Sequence, residues 1–308
     1  MGTFLARRAS RALVTLIALS MIVFGLSRAT GSPVALLLPP DASREDVEAL
    51  STSLGLNKPL IVQYVQFVRN VLHGDFGKSI RWNRPVLEVF VERLPSTLQL
   101  GLSAAVLTVI IGVPLGVLAA VRRQGGVDVS IRVLASIMQG VPTFAVAVFL
   151  VLLLAVTVRV LPAGGYGGPA YMVLPVTAMM LYPLAGVIRM TRVSMIAVLD
   201  REFVLVARAK GLRTTSVIFR HVLRNAAIPI ASFLGLMLVN VFLTGSVVIE
   251  SIFAWPGVGQ LVWSSVAARD YPMVQGGVLL LGVLVVAANV VVDFCYGLID
   301  PRIRAPLR

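Results

Sequence analysis

Long apolar runs alternate with short polar or Gly/Pro-rich segments along most of this 308-residue chain. Six runs, at approximately 11–29, 97–121, 130–158, 171–190, 226–250 and 273–299, are long enough to cross a hydrocarbon core of about 30 Å, which takes roughly 20 helical residues. The pattern predicts an all-α polytopic membrane protein with six transmembrane helices. Two intervals between runs are longer than a turn requires. The first, residues 30–96, contains "SREDVEAL", read as a helix with Ser43 at its N-cap and Asp46 three residues on, and "PLIVQYVQFVRNVLHG", whose Gly74 suits a helix C′ position. It is expected to be a small folded cap.

The second long interval, 191–225, carries "REFVLVARAKGLRTTSVIFRHVLRNAAIP", Arg201 to Pro229. "REFVLVARAK" reads as a helix stopped by Gly211, which can adopt the left-handed conformation that a stop requires. Thr214 or Thr215 would then cap a second helix leading into the fifth span. Apolar residues cluster around Phe203 to Ala207 and Val217 to Val222, whereas Arg208, Lys210, Arg213, Arg220 and Arg224 would point to solvent, lipid head groups or a partner. Ala207 and Gly211 lie four residues apart on one face and would let another helix approach closely. Charge alone is satisfied by a loop that only sets topology; the length and the caps favour a docking hairpin.

Composition agrees with a membrane chain: 57% of residues are hydrophobic and 13% charged, and the mean hydropathy is +0.91, against about 25% charged in an ordinary soluble domain. The net charge of +13 does not indicate nucleic acid, because the basic residues sit at the ends of apolar runs with no basic face interleaved with aromatics. Their distribution instead predicts orientation. Arg7, Arg8 and Arg11, then Arg122 and Arg123, then the 201–229 segment, then Arg302, Arg304 and Arg308 fall on one side, and only Arg159 and Arg269 in the two later loops opposite. Both termini are expected to be cytoplasmic. The first run has Arg7, Arg8 and Arg11 ahead of "ALVTLIALSMIVFGL" and a small-x-small site at Ser27 to Ala29; residues 1–29 are read as a signal-anchor helix.

Several chemistries lack their residues. One cysteine, Cys295, and two distant histidines, His73 and His221, exclude an internal disulfide and offer no zinc site. "HGDFGKSI" superficially suggests a phosphate-binding loop, but Leu72 stands where the motif needs its first glycine. No His-Glu-x-x-His or equivalent pair supports an intramembrane enzyme. A secondary transporter, the rival transport class, would place ionisable groups near mid-membrane, whereas the acidic residues here sit mostly outside the spans or near their ends.

"ARAKGL" followed by "RHVLRNAAIP" resembles the cytoplasmic EAA loop of importer-type ABC permeases, in the wording of the dipeptide/oligopeptide/nickel branch. "GDFGKSI", "PVLEVFVERLPSTLQL", "ESIFAWPGVGQL", "DYP" and the terminal "DPRIR" agree in order, so the resemblance covers essentially the whole chain. It is most similar to the first of two permease subunits, the one with a long first outer loop. Leu205 and Val206 replace the first two residues of the Glu-Ala-Ala triplet, leaving Ala207 and Gly211 as matches. The later Ile-x-Leu-Pro falls on His221, Val222, Leu223 and Arg224 and agrees only at Leu223, in the His-x-Leu-x-Asn form of the peptide branch.

The resemblance implies a type I ABC importer permease fold, with an extracytoplasmic loop or cap at 30–96, a permease core at 97–299 and a cytoplasmic tail at 300–308. It implies a bacterial plasma (inner) membrane location and a non-catalytic subunit without its own cofactor. The partners would be a second homologous permease, two ATPase subunits holding ATP and Mg, and an extracytoplasmic substrate-binding protein. The cargo would be di- or oligopeptides, with nickel chelates or glutathione as the alternatives. Glu202, Ala207, Arg208, Lys210, Gly211, Leu212 and Arg213 would couple to the ATPases. Asn240 and Asn289 face either the pathway or a neighbouring helix, and Asp293 near the inner end of the last span is a functional or ion-paired candidate. Asp75 with Trp255, Pro256 and Gly257 would serve the outer gate or the binding-protein contact. "FAWPGVGQL" is read as a re-entrant or interfacial segment with Trp255 and Trp263 at head-group level. Pro114, Pro142, Pro175, Pro183 and Pro229 would bend or open helices that contain them.

Overall fold

The structure, a computed structural model, describes residues 2–29, 43–53, 55–240 and 246–299. The tail 300–308 and residues 30–42 of the expected cap lie outside the described residues. In chain order the helices are α1 (Gly2–Ala29), α2 (Arg44–Ser53), α3 (Leu60–Leu72), α4 (Val86–Val121), α5 (Gly126–Gly140), α6 (Thr143–Leu150), α7 (Ala170–Leu199), α8 (Glu202–Ala209), α9 (Thr214–Ser216), α10 (Leu223–Asn240), α11 (Ser246–Ile252), α12 (Val258–Ala267) and α13 (Tyr271–Ile299). π-helical turns at Val151–Thr157 and Val217–Val222 extend α6 and join α9 to α10. No strand occurs among the described residues, where the one β contact is a single bridge between Lys78 and Pro85.

Apolar helices overlap all six expected spans. Val86–Val121, Ala170–Leu199, Thr214–Gly235 and Tyr271–Val292 are each long and apolar enough to cross a membrane; Gly126–Gly140 with Thr143–Thr157 forms a bent fifth, and Ser10–Leu26 in α1 is a shorter apolar helix. The third span is not one straight helix: its halves meet at 99°. Val141 before Pro142 is extended, at φ −100° and ψ 126°, because the proline ring disfavours a helical residue ahead of it. Pro175, Pro183 and Pro229, by contrast, are carried inside α7 and α10. α7 also continues to Leu199, so the first part of the 191–225 interval is the end of a span.

The chain divides into two compact units, residues 1–95 with 257–287 and residues 96–256 with 288–308. In the first, Ser43 and Asp46 form the expected reciprocal cap: the Ser43 hydroxyl donates to Asp46 Oδ2 at 2.6 Å and accepts from the Asp46 N–H at 3.1 Å. α3 ends at Leu72 with Gly74 at φ +81°. α4 starts at Val86, well before the expected start near Thr97, because Val86 and Val89 are buried with Leu261 and Met273, and Phe90 with Val258 and Val262. Its 36 residues reach about 54 Å at 1.5 Å per residue, more than a bilayer core needs.

In the second unit, α7 is the central helix. Gly112 and Gly116 of α4 let that helix approach it closely: a Cβ at Gly116 would fall 2.7 Å from the Ile188 carbonyl oxygen, and one at Gly112 2.9 Å from Val187. Small residues four apart are a usual device for close helix contact in lipid, where apolar burial drives association weakly. A core of Leu100, Ala104, Leu174, Met179, Ile249, Phe253 and Trp255 lies at one end of this unit.

Candidate functional site

The 201–223 hairpin is built as an amphipathic lever. α8 follows Asp200 and Arg201, runs from Glu202 to Ala209 and ends at Lys210. Gly211 then turns the chain at φ +73°. The second arm begins one residue before the first predicted cap and two before the second: Arg213 is the extended flanking residue, at φ −57° and ψ 136°, and Thr214 is already helical with no side-chain cap bond. The inner face of the hairpin consists of Val204, Ala207, Val217, Ile218 and Val222. These residues share one buried cluster with Val117 and Ala120 of α4, Met195 of α7, and Ala226 and Ile230 of α10. Burying one such valine is worth about 1.5–3 kcal/mol, so separating the hairpin from the ends of these three spans is costly.

Its outer face is exposed and cationic. Glu202, Arg208, Lys210, Gly211, Leu212, Arg213, Arg220 and Arg224 are all exposed, as are Phe203, Leu205, Val206 and Phe219. Ala207 departs from expectation: it is 7% exposed and packs inside the chain's own cluster, since its position in α8 lies three residues from buried Val204. At Gly211 a Cβ would meet nothing within 4 Å of the chain itself. What it supplies within the chain is the left-handed backbone.

Three carboxylates that sequence reasoning passed over are almost fully buried. Asp128, at the start of α5, accepts from Arg192 of α7 through Nε to Oδ1 at 2.6 Å and Nη2 to Oδ2 at 2.8 Å. It also accepts from the Gln124 N–H at 3.0 Å, and Arg132 stands 3.3 Å away. Beside it, Arg123 donates Nη1 to both oxygens of Asp200, at 2.9 and 2.8 Å, and the carboxylate holds that guanidinium above its ordinary pKa. Glu250, wholly buried, accepts from the Thr97 hydroxyl at 2.7 Å. Asp270, in the first unit, accepts from the Ser79 hydroxyl and from the N–H groups of Ile80 and Arg81, both at 3.1 Å, and of Met273 at 3.3 Å. It thereby pins the "GKSIRW" loop to the start of α13. Glu250 and Asp270 open the "ESIFAWPGVGQL" and "DYP" segments, whereas Asp128 offered only its charge beside an apolar run.

The residues assigned to an outer gate differ in exposure. Asp75 is exposed, with its Oδ1 accepting from the Gly77 N–H at 2.9 Å. Trp255 is fully buried: its indole N–H donates to the Ser96 carbonyl at 2.9 Å and its ring meets Tyr166 edge-on at 4.9 Å. Pro256 is partly buried, Gly257 buried and Trp263 exposed. Asn289 is partly buried in α13 and engaged in an interaction, whereas the side chains of Asn240 and Asp293 lie outside the described residues. No group of three or more His, Cys, Asp or Glu able to hold a metal occurs among the described residues.

Known proteins share both halves of this arrangement. A family model described as binding-protein-dependent transport system inner membrane component matches residues 112–305, and the model of that component's N-terminal part matches residues 1–101. The oligopeptide transport system permease protein AppB of Bacillus subtilis (strain 168) is 36% identical over 316 residues, covering 99% of this chain and 100% of that one. The dipeptide transport system permease protein DppB of Escherichia coli (strain K12) is 35% identical over 334 residues, covering 98% of each. Among solved structures, the MetNI methionine ABC transporter in an inward-facing conformation matches with a TM-score of 0.60 at 17% identity, over 70% of this chain and 97% of that one. An amino acid ABC transporter crystallised with histidines matches at 0.51 over 70% and 94%. The fold is thus that of ABC importer permeases, and the chain belongs to the binding-protein-dependent transport system inner membrane component family.

Proposed function

We propose that this multi-pass membrane protein is a permease subunit of an ATP-driven importer of di- or oligopeptides, and that the 201–223 hairpin is where ATPase subunits engage it. One observation carries the coupling role. The hairpin's apolar face is buried in the same cluster as the ends of α4, α7 and α10, while Arg208, Lys210 and Arg213 face outward beside Gly211. A partner pushing on the outer face would therefore move spans, as a coupling element must. The peptide cargo is supported by the near full-length likeness to the two peptide permeases.

In this reading the chain has no covalent chemistry of its own, and ATP with Mg is held by two partner ATPases. A second permease completes the pathway, and an extracytoplasmic binding protein delivers cargo. The Lys and Arg distribution supports cytoplasmic termini, and the family likeness supports a bacterial inner membrane location. Affinity purification from native membranes in mild detergent, followed by mass spectrometry and by uptake of labelled peptides in proteoliposomes, tests it. Recovery of a second permease and two ATPases with ATP-dependent uptake is expected. Recovery of the chain alone, transporting on an ion gradient without ATP, would overturn it.

A further inference from the structure

The hairpin is not joined to the rest of its unit by apolar contacts alone. The helix that feeds it, α7, is gripped on two sides near its end. On one side Gly112 and Gly116 bring α4 against Val187, Ile188 and Thr191. On the other, Arg192 reaches Asp128 of α5 with two parallel hydrogen bonds. Asp128 is 1% exposed, and Arg192 is only partly exposed. Two residues beyond the end of α4, Arg123 clamps Asp200, the residue at which α7 stops and the hairpin begins. The backbone between the two clamps is itself constrained: Gln124 takes a left-handed φ of +64° with its N–H on Asp128.

We infer that the Asp128–Arg192 pair, with Arg123–Asp200 beside it, is a second coupling latch, whose members are positioning residues that carry the hairpin's displacement into α5 and so into the bent α5–α6 span. The inference rests on the coupling role proposed above and adds to it the elbow at residues 122–128. The physical ground is directional. Apolar contacts in the hairpin cluster resist separation but tolerate sliding, whereas a bidentate guanidinium–carboxylate pair fixes distance and orientation together. Apolar residues of similar shape could hold a buried pair's place without loss of stability; what the charged pair adds is a fixed geometry. With the pair intact, α5 and the hairpin move as one body. With it broken, the hairpin can be driven while α5 lags, and ATP is spent without transport.

The test uses the complete transporter in proteoliposomes and reads peptide taken up per ATP hydrolysed. Asp128→Asn and Arg192→Gln are each expected to lower that ratio about tenfold, within the usual range of coupling between sites, with ATPase subunits still bound and hydrolysis preserved. The double variant should be no worse than either single, as for one shared interaction, and Arg192→Lys should recover part of the ratio. Uptake and hydrolysis falling in proportion, or an unchanged ratio, would overturn the latch. If the buried variants do not accumulate, Arg123→Gln at the exposed clamp decides: a ratio lowered about two- to fivefold is expected, and an unchanged one overturns the proposal. A wild-type complex without ATP-dependent uptake would instead overturn the functional reading on which the latch rests.

Discussion

Substitution at Gly211 separates what the hairpin itself requires from what a partner docked on it requires. Gly211 turns the chain at φ +73°, and a Cβ built there would meet nothing within 4 Å. Any L-residue therefore incurs only the left-handed backbone penalty, about 1–2 kcal/mol, with no added clash inside the chain. That energy corresponds to a factor of roughly 5–30 in the opening equilibrium of the turn. Gly211→Ala and Gly211→Leu should loosen residues 202–213 equally, and Gly211→Asn less, since asparagine visits this conformation more readily. Amide hydrogen exchange over those residues in the purified complex reads the loosening. ATP-driven uptake in proteoliposomes reads the docking. A partner seated against the turn senses side-chain size, so Leu is expected to abolish uptake while Ala, at equal exchange, retains a measurable fraction. Equal uptake for Ala and Leu would refute docking at this position, and exchange unchanged by Ala would refute the strain argument.

Asp270→Ala deprives the Ser79 hydroxyl and three N–H groups of their acceptor, at a cost of about 3 kcal/mol or more given 1.5–3 kcal/mol per bond to a charged group. Limited proteolysis within residues 75–85 should accelerate, whereas an unaltered digestion pattern would mean that the loop is held by its apolar contacts. Thr97→Val removes a hydrogen bond to wholly buried Glu250 and is expected to cost about 1–3 kcal/mol, seen as a lower Tm in detergent, with Thr97→Ser close to wild type. Protease added to sealed right-side-out vesicles should cut within residues 30–96 and spare 200–225; the reverse pattern would invert the proposed orientation.

Features decided within a few residues were legible from the chain alone. Apolar run length predicts a membrane span because every buried backbone polar group must be paired within its own segment. All six runs overlap apolar helices, four of them long enough to cross a membrane, the third as a bent pair and the first as a shorter helix. The Ser43–Asp46 cap, the stop at Gly74 and the turn at Gly211 depend on the conformation of one residue and a partner three positions away. Span ends were less legible, because α4 and α7 extend beyond their apolar runs wherever neighbours bury the extra turns. Val86, Val89 and Phe90 at one helix start and Met195 at one helix end do so here.

By itself, then, the sequence determined an all-α membrane chain with a glycine-turned basic hairpin, since hydrophobic length, charge placement and local turn chemistry suffice for those. Only the tertiary structure decided which small, aromatic and acidic residues lie inside. Ala207 suits a partner contact as well as an internal one, and Trp255 suits an interface as well as a core, until the surrounding helices are in place. Asp128 meets Arg192 across 64 residues, Glu250 meets Thr97 across 153, and Asp270 meets Ser79 across 191. No local periodicity encodes such pairings. They exist because burying a carboxylate costs several kcal/mol unless donors surround it, and only the packed fold brings those donors within reach.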